Sequence, residues 1–277
     1  VRSDGRTILG GDDKSGIAIV LEVIRAAQEQ ATRLPPLDVL FTVQEEIGLR
    51  GARAVDVTRL RARQGIGLDT GGPVGTVVVS APSQNTLDVV VHGVAAHAGG
   101  EPEKGINAIL VAAEAITHMP LGRIDPETTA NIGVIQGGRA TNIICDRVEI
   151  RGEARSRNAA KLAAQTEAMT RAFEAAAAAH GATVDIRVSH EYTAFTLGPE
   201  APIIRLITEG ARAVGIEPAL VPCGGGSDSN VFNAAGIEIT NISTGMDRVH
   251  TLHECIAVDD MVRCAEWLLA CLRLRAS

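Results

Sequence analysis

Lysine and arginine nowhere cluster in this sequence, no stretch of about eighteen uninterrupted apolar residues occurs, and no two cysteines stand as Cys-x-x-Cys. Each absence excludes something. With 26 Lys and Arg against 33 Asp and Glu, the net charge is −7, and without a basic patch nucleic acid and anionic membrane are poor partners. Nothing is apolar enough for long enough to span a bilayer as a helix. The cysteines Cys145, Cys223, Cys255, Cys264 and Cys271 are odd in number and scattered. They read as reduced thiols filling the core of a cytoplasmic protein, not as a disulfide framework or a thiolate metal site. The glycines of Gly224-Gly-Gly-Ser-Asp228 invite a phosphate-loop reading, but no Gly-Lys-Ser/Thr follows and no GxGxxG is formed. There is no internal repeat. What remains is ordinary globular composition, 45% hydrophobic and 21% charged over 277 residues, long enough for two domains.

What the chain does have is carboxylate in unusual places. Gln44-Glu45-Glu46-Ile47-Gly48 directly follows the apolar run Leu37–Val43. Two adjacent carboxylates at the end of a buried strand are expensive to desolvate unless cations hold them. Gly10-Gly-Asp12-Asp13-Lys14-Ser15-Gly16 lies upstream; Asp69, His97 and His250-Thr-Leu-His253-Glu254 lie downstream. Carboxylate and imidazole with little thiolate make a ligand set suited to zinc, cobalt or manganese. The pattern points to a metal-dependent hydrolase.

Periodicity supplies the frame. Residues 15–27 predict a helix with Ile17, Val20, Leu21 and Ile24 on one face. Leu37–Val43 predicts a strand buried on both faces of a mostly parallel sheet, and residues 65–69 another, each ending in carboxylate, where open α/β sheets place their sites. Thr7–Leu9 is also strand-like. Between residues 81 and 192 the pattern changes. Alternating Leu87, Val89 and Val91, a helix over 106–117, strands near 130–135 and 143–154, an alanine-rich helix over 159–179 and a strand at 183–188 give the ferredoxin-like order β-α-β-β-α-β. From residue 193 the helix and strand alternation resumes, with a helix at 203–214, a strand at 237–242 and a last helix from Asp259. The expected architecture is an α/β sheet domain in two parts, residues 1–80 and 193–277, interrupted by a smaller domain at 81–192.

These motifs, in this order and over nearly the whole chain, resemble the M20 family of dinuclear zinc peptidases and deacylases, most closely its peptidase T-like branch. The resemblance implies the zinc-peptidase fold and a role for each residue. Asp12 would bridge two zinc ions, with cobalt or manganese as possible substitutes. Glu46 and His250 would complete one metal site and Asp69 would serve the other. Glu45 would be the general base that activates a water at the metals. An aspartate at position 69 marks the peptidase-like members. His97, in Gly93-Val-Ala-Ala-His-Ala-Gly99, would stabilise the oxyanion in the active site of a partner subunit. Asn142, Arg155 and Gly226 would contact substrate, Arg155 through its two-pronged guanidinium. His253 rivals His250 as the ligand. The activity implied is cleavage of short peptides by a tripeptide aminopeptidase-like homodimer joined through the inserted domain, with N-acyl amino acid deacylation as the alternative.

One element of the family pattern is not matched. Family members carry a His-x-Asp motif ahead of the bridging aspartate, and the eleven residues before Asp12 contain none. A chain that starts at Val1 on its own acidic loop reads as a fragment, so the lack of a signal peptide carries no information. The expectation is one complete metal site, formed by Asp12, Glu46 and His250, and one lacking its histidine. Either an inactive fragment or a single-metal site would follow, with apolar surface left uncovered.

Overall fold

The computed structural model describes residues 1–276. It resolves into two compact units, one built from residues 1–81 with those from Phe195 on, the other from Pro82–Ala194.

In the first unit, α1 spans Gly11–Glu29 and starts where Gly10 turns left-handed at φ 72°, a conformation open to glycine. Its buried stripe is Gly16, Ile19, Val23 and Ala27, rotated from the face expected. Ile17 and Leu21 are 41% and 54% exposed, and Ile17, Val20 and Ile24 line a cavity instead. The larger departure is Leu37–Val43, which forms no strand. Leu37, Val39, Leu40, Phe41 and Val43 are all exposed. After the short helix α2, Arg50–Ala54, comes β1, Gln64–Gly67. The stretches Pro35–Phe41 and Arg61–Leu68 line a cavity of about 540 Å³, which Val20, Val23, Leu268 and Leu272 also line. A strand needs a neighbour for its backbone groups, and the end of this run turns on itself: Gly51 N donates to Val43 O at 2.9 Å. Thr7–Leu9 likewise forms no strand. β2, Thr76–Ala81, ends the first part.

The second unit follows its pattern closely. β3 (Ser83–His92), α3 (Ala108–His118), β4 (Gly122–Asp125), β5 (Thr128–Gly137), β6 (Arg147–Ser156), α4 (Ala159–His180) and β7 (Thr183–Tyr192) build one antiparallel sheet in the order β4-β5-β6-β3-β7. Setting aside the short edge strand β4, this is the β-α-β-β-α-β unit. Ile143 makes an isolated bridge to His97, not a first residue of β6. Asn107 and Asn158 cap the two helices, accepting from Ile109 N and from Ala160 and Lys161 N, and Gly181 ends α4 at φ 66°. Leu87, Val89 and Val91 of β3, Val148 and Ile150 of β6, and Met169 and Phe173 of α4 are buried together. Each such side chain contributes about 1.5–3 kcal/mol.

The first unit resumes with β8 (Phe195–Thr196), α5 (Pro202–Ala213), β9 (Ala219–Pro222), α6 (Asp228–Ala234), β10 (Glu238–Asn241) and α7 (Val258–Ala276). β1 pairs parallel to β10, β2 pairs parallel to β9 and antiparallel to β8. An antiparallel bridge, Val77 to Ile242, links the two sets. The sheet is mixed and mostly parallel. Its core gathers Ile19 and Val23 of α1, Ile203 and Ile207 of α5, and Trp267 of α7; the Trp267 indole donates to Ile207 O at 2.9 Å. Among the described residues no helix is long and apolar enough to cross a membrane. The five cysteines are free, and burial pushes the thiols of Cys264 and Cys271 up to about 12.

Candidate metal centre

Four separate segments of the first unit bring the acidic residues together. Asp12 stands in the first turn of α1 and Asp69 just past β1. Glu45 and Glu46 sit in a tight turn in which Gly48 N and Leu49 N both donate to Glu45 O, at 3.1 and 2.8 Å. Gln44 and Leu49 have φ 59° and 56° there. His250 occupies the loop before α7, itself at φ 64°, a left-handed position that non-glycine residues take where surroundings enforce it.

His250 Nε2 lies 3.0 Å from Asp12 Oδ2 and 2.8 Å from Glu46 Oε1. One ligand atom from each of these three residues lies within 4.8 Å of the others. His253 is exposed and belongs to no such group among the described residues. Asp69 is hydrogen-bonded to Asp12, and Asn241 Nδ2 holds the Asp69 carbonyl at 2.9 Å. Asp12, Asp13, Glu45, Glu46, Asp69 and Asp228 line one cavity of about 480 Å³, in which Lys14 is the single basic lining residue among the described residues.

So much carboxylate in one place distorts its titration. Burial first, and the Asp69 charge second, push the Asp13 carboxyl up to about 8. Burial, then Asp69, Asp228, Glu46 and Asp12, push Glu45 up to about 8. Asp69 is raised by burial and by the charge and hydrogen bond of Asp12. Burial opposes charge on His250, but Glu46 and Asp12 outweigh it and raise its pKa. A divalent cation is what such a donor set fits: two hard carboxylates and an imidazole already converge, with more negative charge behind them.

A pH effect follows for the metal-free chain. The folded state keeps protons on Asp13 and Glu45 up to about 8, whereas the ordinary values are 3.8 and 4.5. The folded chain therefore binds more protons than the unfolded chain across that interval, and stability falls as pH rises through it. The Tm of chelator-treated protein is expected to drop from pH 5 to pH 8. Added zinc should raise it most at the upper end. A Tm that climbs over that interval would sink this reading.

The other expected site residues lie elsewhere. Gly226 is in the loop before α6. In the second unit His97 and Asn142 are neighbours, Ala98 N donating to Asn142 O at 3.0 Å. Arg155, on β6, turns its guanidinium onto Glu153 through bonds of 2.9 and 3.0 Å. Two contributors escaped the sequence reading. Glu254, which the sequence shows only as the end of the string that begins at His250, is 1% exposed and accepts from Gly10 N and Asp12 N at 2.7 and 2.9 Å. Asp228, at the end of the glycine turn, accepts from Thr42 Oγ1 at 2.5 Å and leaves Oδ1 buried without a partner.

Comparison with known proteins agrees with this architecture. The M20 peptidase dimerisation domain matches residues 83–181, and the M42 glutamyl aminopeptidase family matches residues 8–106. The chain is 42% identical to YqjE of Bacillus subtilis over 98% of its own length and 73% of that protein. It is 29% identical to a peptidase T of Vibrio cholerae, covering 94% of its own length and 64% of that protein. Among solved structures, the aminopeptidase PepT from Bacillus cereus superposes with a TM-score of 0.89 at 43% identity, over all of this chain and 74% of that one. A tripeptidase from Staphylococcus aureus gives 0.95 at 36%, over 99% and 74%. Fold and site thus define a chain of the metallopeptidase class. It belongs to the M20 family of metal-dependent peptidases, in its peptidase T-like branch.

Proposed function

We propose that the chain carries the catalytic centre of an aminopeptidase acting on short peptides, tripeptides foremost. The convergence of Asp12, Glu46 and His250 on one point carries the reading. Those three residues would hold one divalent cation, zinc in the first instance. Asp12 and Asp69 would face a second. When bound, the cations supply Lewis-acid polarisation of the scissile carbonyl and of the attacking water. Glu45, beside Glu46 but outside the three-donor group, takes the proton from that water and passes it to the leaving amine. Asp69 and Asp12, held by Asn241 and Glu254 through backbone atoms, keep the carboxylates in register. His97 donates to the oxygen that gains charge, and Asn142, Arg155 and Gly226 position the peptide. A cytoplasmic homodimer formed through residues 83–181 would bring His97 of one copy to the site of the other, which the match to a dimerisation domain supports.

The test is metal content by mass spectrometry after dialysis, paired with hydrolysis of a tripeptide and of an N-acetyl amino acid. At least one metal per chain, held by Asp12, Glu46 and His250, and tripeptide turnover are expected. One metal or none, with neither substrate cleaved, would sink the proposal for this chain. Cleavage of the N-acetyl amino acid alone would move it to the deacylases.

A further inference from the structure

His97 is bonded unlike His92, His118 and His180. His92 Nε2 and His180 Nε2 face carboxylates, Asp185 at 2.8 Å and Glu114 at 2.6 Å, and His118 Nδ1 faces the Glu114 carbonyl at 2.8 Å. The ring of His97 instead meets donors. Gly99 N and Gly100 N lie 3.1 and 3.0 Å from its Nδ1. Backbone N–H groups only donate, so the ring atom they address must present a lone pair. A neutral imidazole with a bare Nδ1 holds its one proton on Nε2. Turning the ring over would set a C–H against both donors and lose both bonds.

The loop that makes this contact is itself tied down. Ala98 N donates to Asn142 O and Ile144 N to Ala96 O, both at 3.0 Å. His97 O accepts from Glu101 N at 3.1 Å and more weakly from Gly100 N at 3.3 Å. The ring is exposed, and Nε2 has no partner among the described residues. A side chain that presents one fixed N–H outward is arranged to give a hydrogen bond.

We propose that Gly99 and Gly100 are positioning residues whose backbone N–H groups fix His97 as the Nε2–H tautomer, making it a dedicated donor to a ligand oxygen. That the oxygen belongs to the scissile carbonyl rests on the peptidase reading; the tautomer does not. A Cβ at Gly100 would come 3.4 Å from Nδ1, and at Gly99 it would come 3.7 Å from Cε1. Alanine at either position therefore keeps the N–H at ordinary contact distances, whereas proline removes it.

The experiment uses the full chain with 15N-labelled histidine and long-range 1H–15N correlation at neutral pH, His97 being assigned by its loss in His97→Gln. A pyridine-like Nδ1 and a pyrrole-like Nε2 are expected. The pattern should persist in Gly99→Ala/Gly100→Ala and collapse toward a tautomer mixture in Gly99→Pro/Gly100→Pro. A protonated Nδ1 in the wild type, or a proline variant with the wild-type pattern, would overturn the proposal. If the proline variant does not melt cooperatively, the wild-type pattern decides. In the metal-loaded chain, the proline variant should lose about ten-fold in kcat with KM little changed, as for a weakened oxyanion donor. Unchanged kcat would overturn the positioning role. A wild type with the expected tautomer and no turnover would remove the peptidase reading and leave the donor assignment standing.

Discussion

Glu45→Gln is expected to lower tripeptide hydrolysis by about 10²–10⁴-fold, the usual contribution of a positioned general base, while the bound metal stays in place. The prediction rests on a division between neighbours. Glu46 Oε1 lies 2.8 Å from His250 Nε2 and within the three-donor group, whereas Glu45 is absent from it. Glu45 lines the same cavity, and burial with the surrounding carboxylates pushes its pKa up to about 8. A base whose affinity for protons is raised in this way suits the removal of one from water and its later delivery to an amine. Glutamine keeps the shape and the turn and cannot accept the proton. Glu46→Gln should behave differently, losing metal first and activity as a consequence. Metal content and kcat/KM of both variants separate the roles. If Glu45→Gln also empties the site, Glu45 is a ligand and the proposed base must be sought elsewhere.

The contrast between the two units shows where sequence was enough. In the ferredoxin-like unit, alternation in β3, asparagine caps at 107 and 158 and the terminating Gly181 are all local signals, and the antiparallel sheet satisfies them within about a hundred residues. The family motifs singled out Asp12, Glu46 and His250, and the fold brings the three together. What the sequence could not specify is tertiary. Leu37–Val43 has the composition of a buried strand, yet whether it becomes one depends on a neighbour that local periodicity does not report. The buried face of α1 was misread for the same reason, because Ile17 and Val20 border a cavity where a packed layer was assumed. No sequence pattern marks Asp228 or Glu254 for the contacts they make. Their importance is a matter of which backbone and hydroxyl groups they meet across the chain.

Glu254 is the strongest instance, and removing it should have the largest effect on stability. Its carboxylate is 1% exposed and accepts from Gly10 N at 2.7 Å and Asp12 N at 2.9 Å. Burial alone would raise its pKa, but the N–H groups of Asp12, Gly10, Leu9 and Gly11 outweigh that and hold it below the usual carboxylate range. Truncation by Glu254→Ala would leave these mostly half-buried donors unpaired, a loss of about 1–3 kcal/mol. It would also free the loop that carries Asp12, so metal affinity should fall although Glu254 is not a ligand. Glu254→Gln, which keeps one acceptor oxygen, should lose less. The pH dependence has a definite sign. With the folded pKa depressed, the unfolded chain binds more protons below the ordinary glutamate range, so the stabilisation is present above that range and is lost as pH falls through it. Urea melts at neutral and acid pH should therefore show the gap between wild type and Glu254→Ala narrowing in acid. A variant that melts like the wild type at neutral pH would mean that the Gly10–Asp12 backbone is held by something other than this carboxylate.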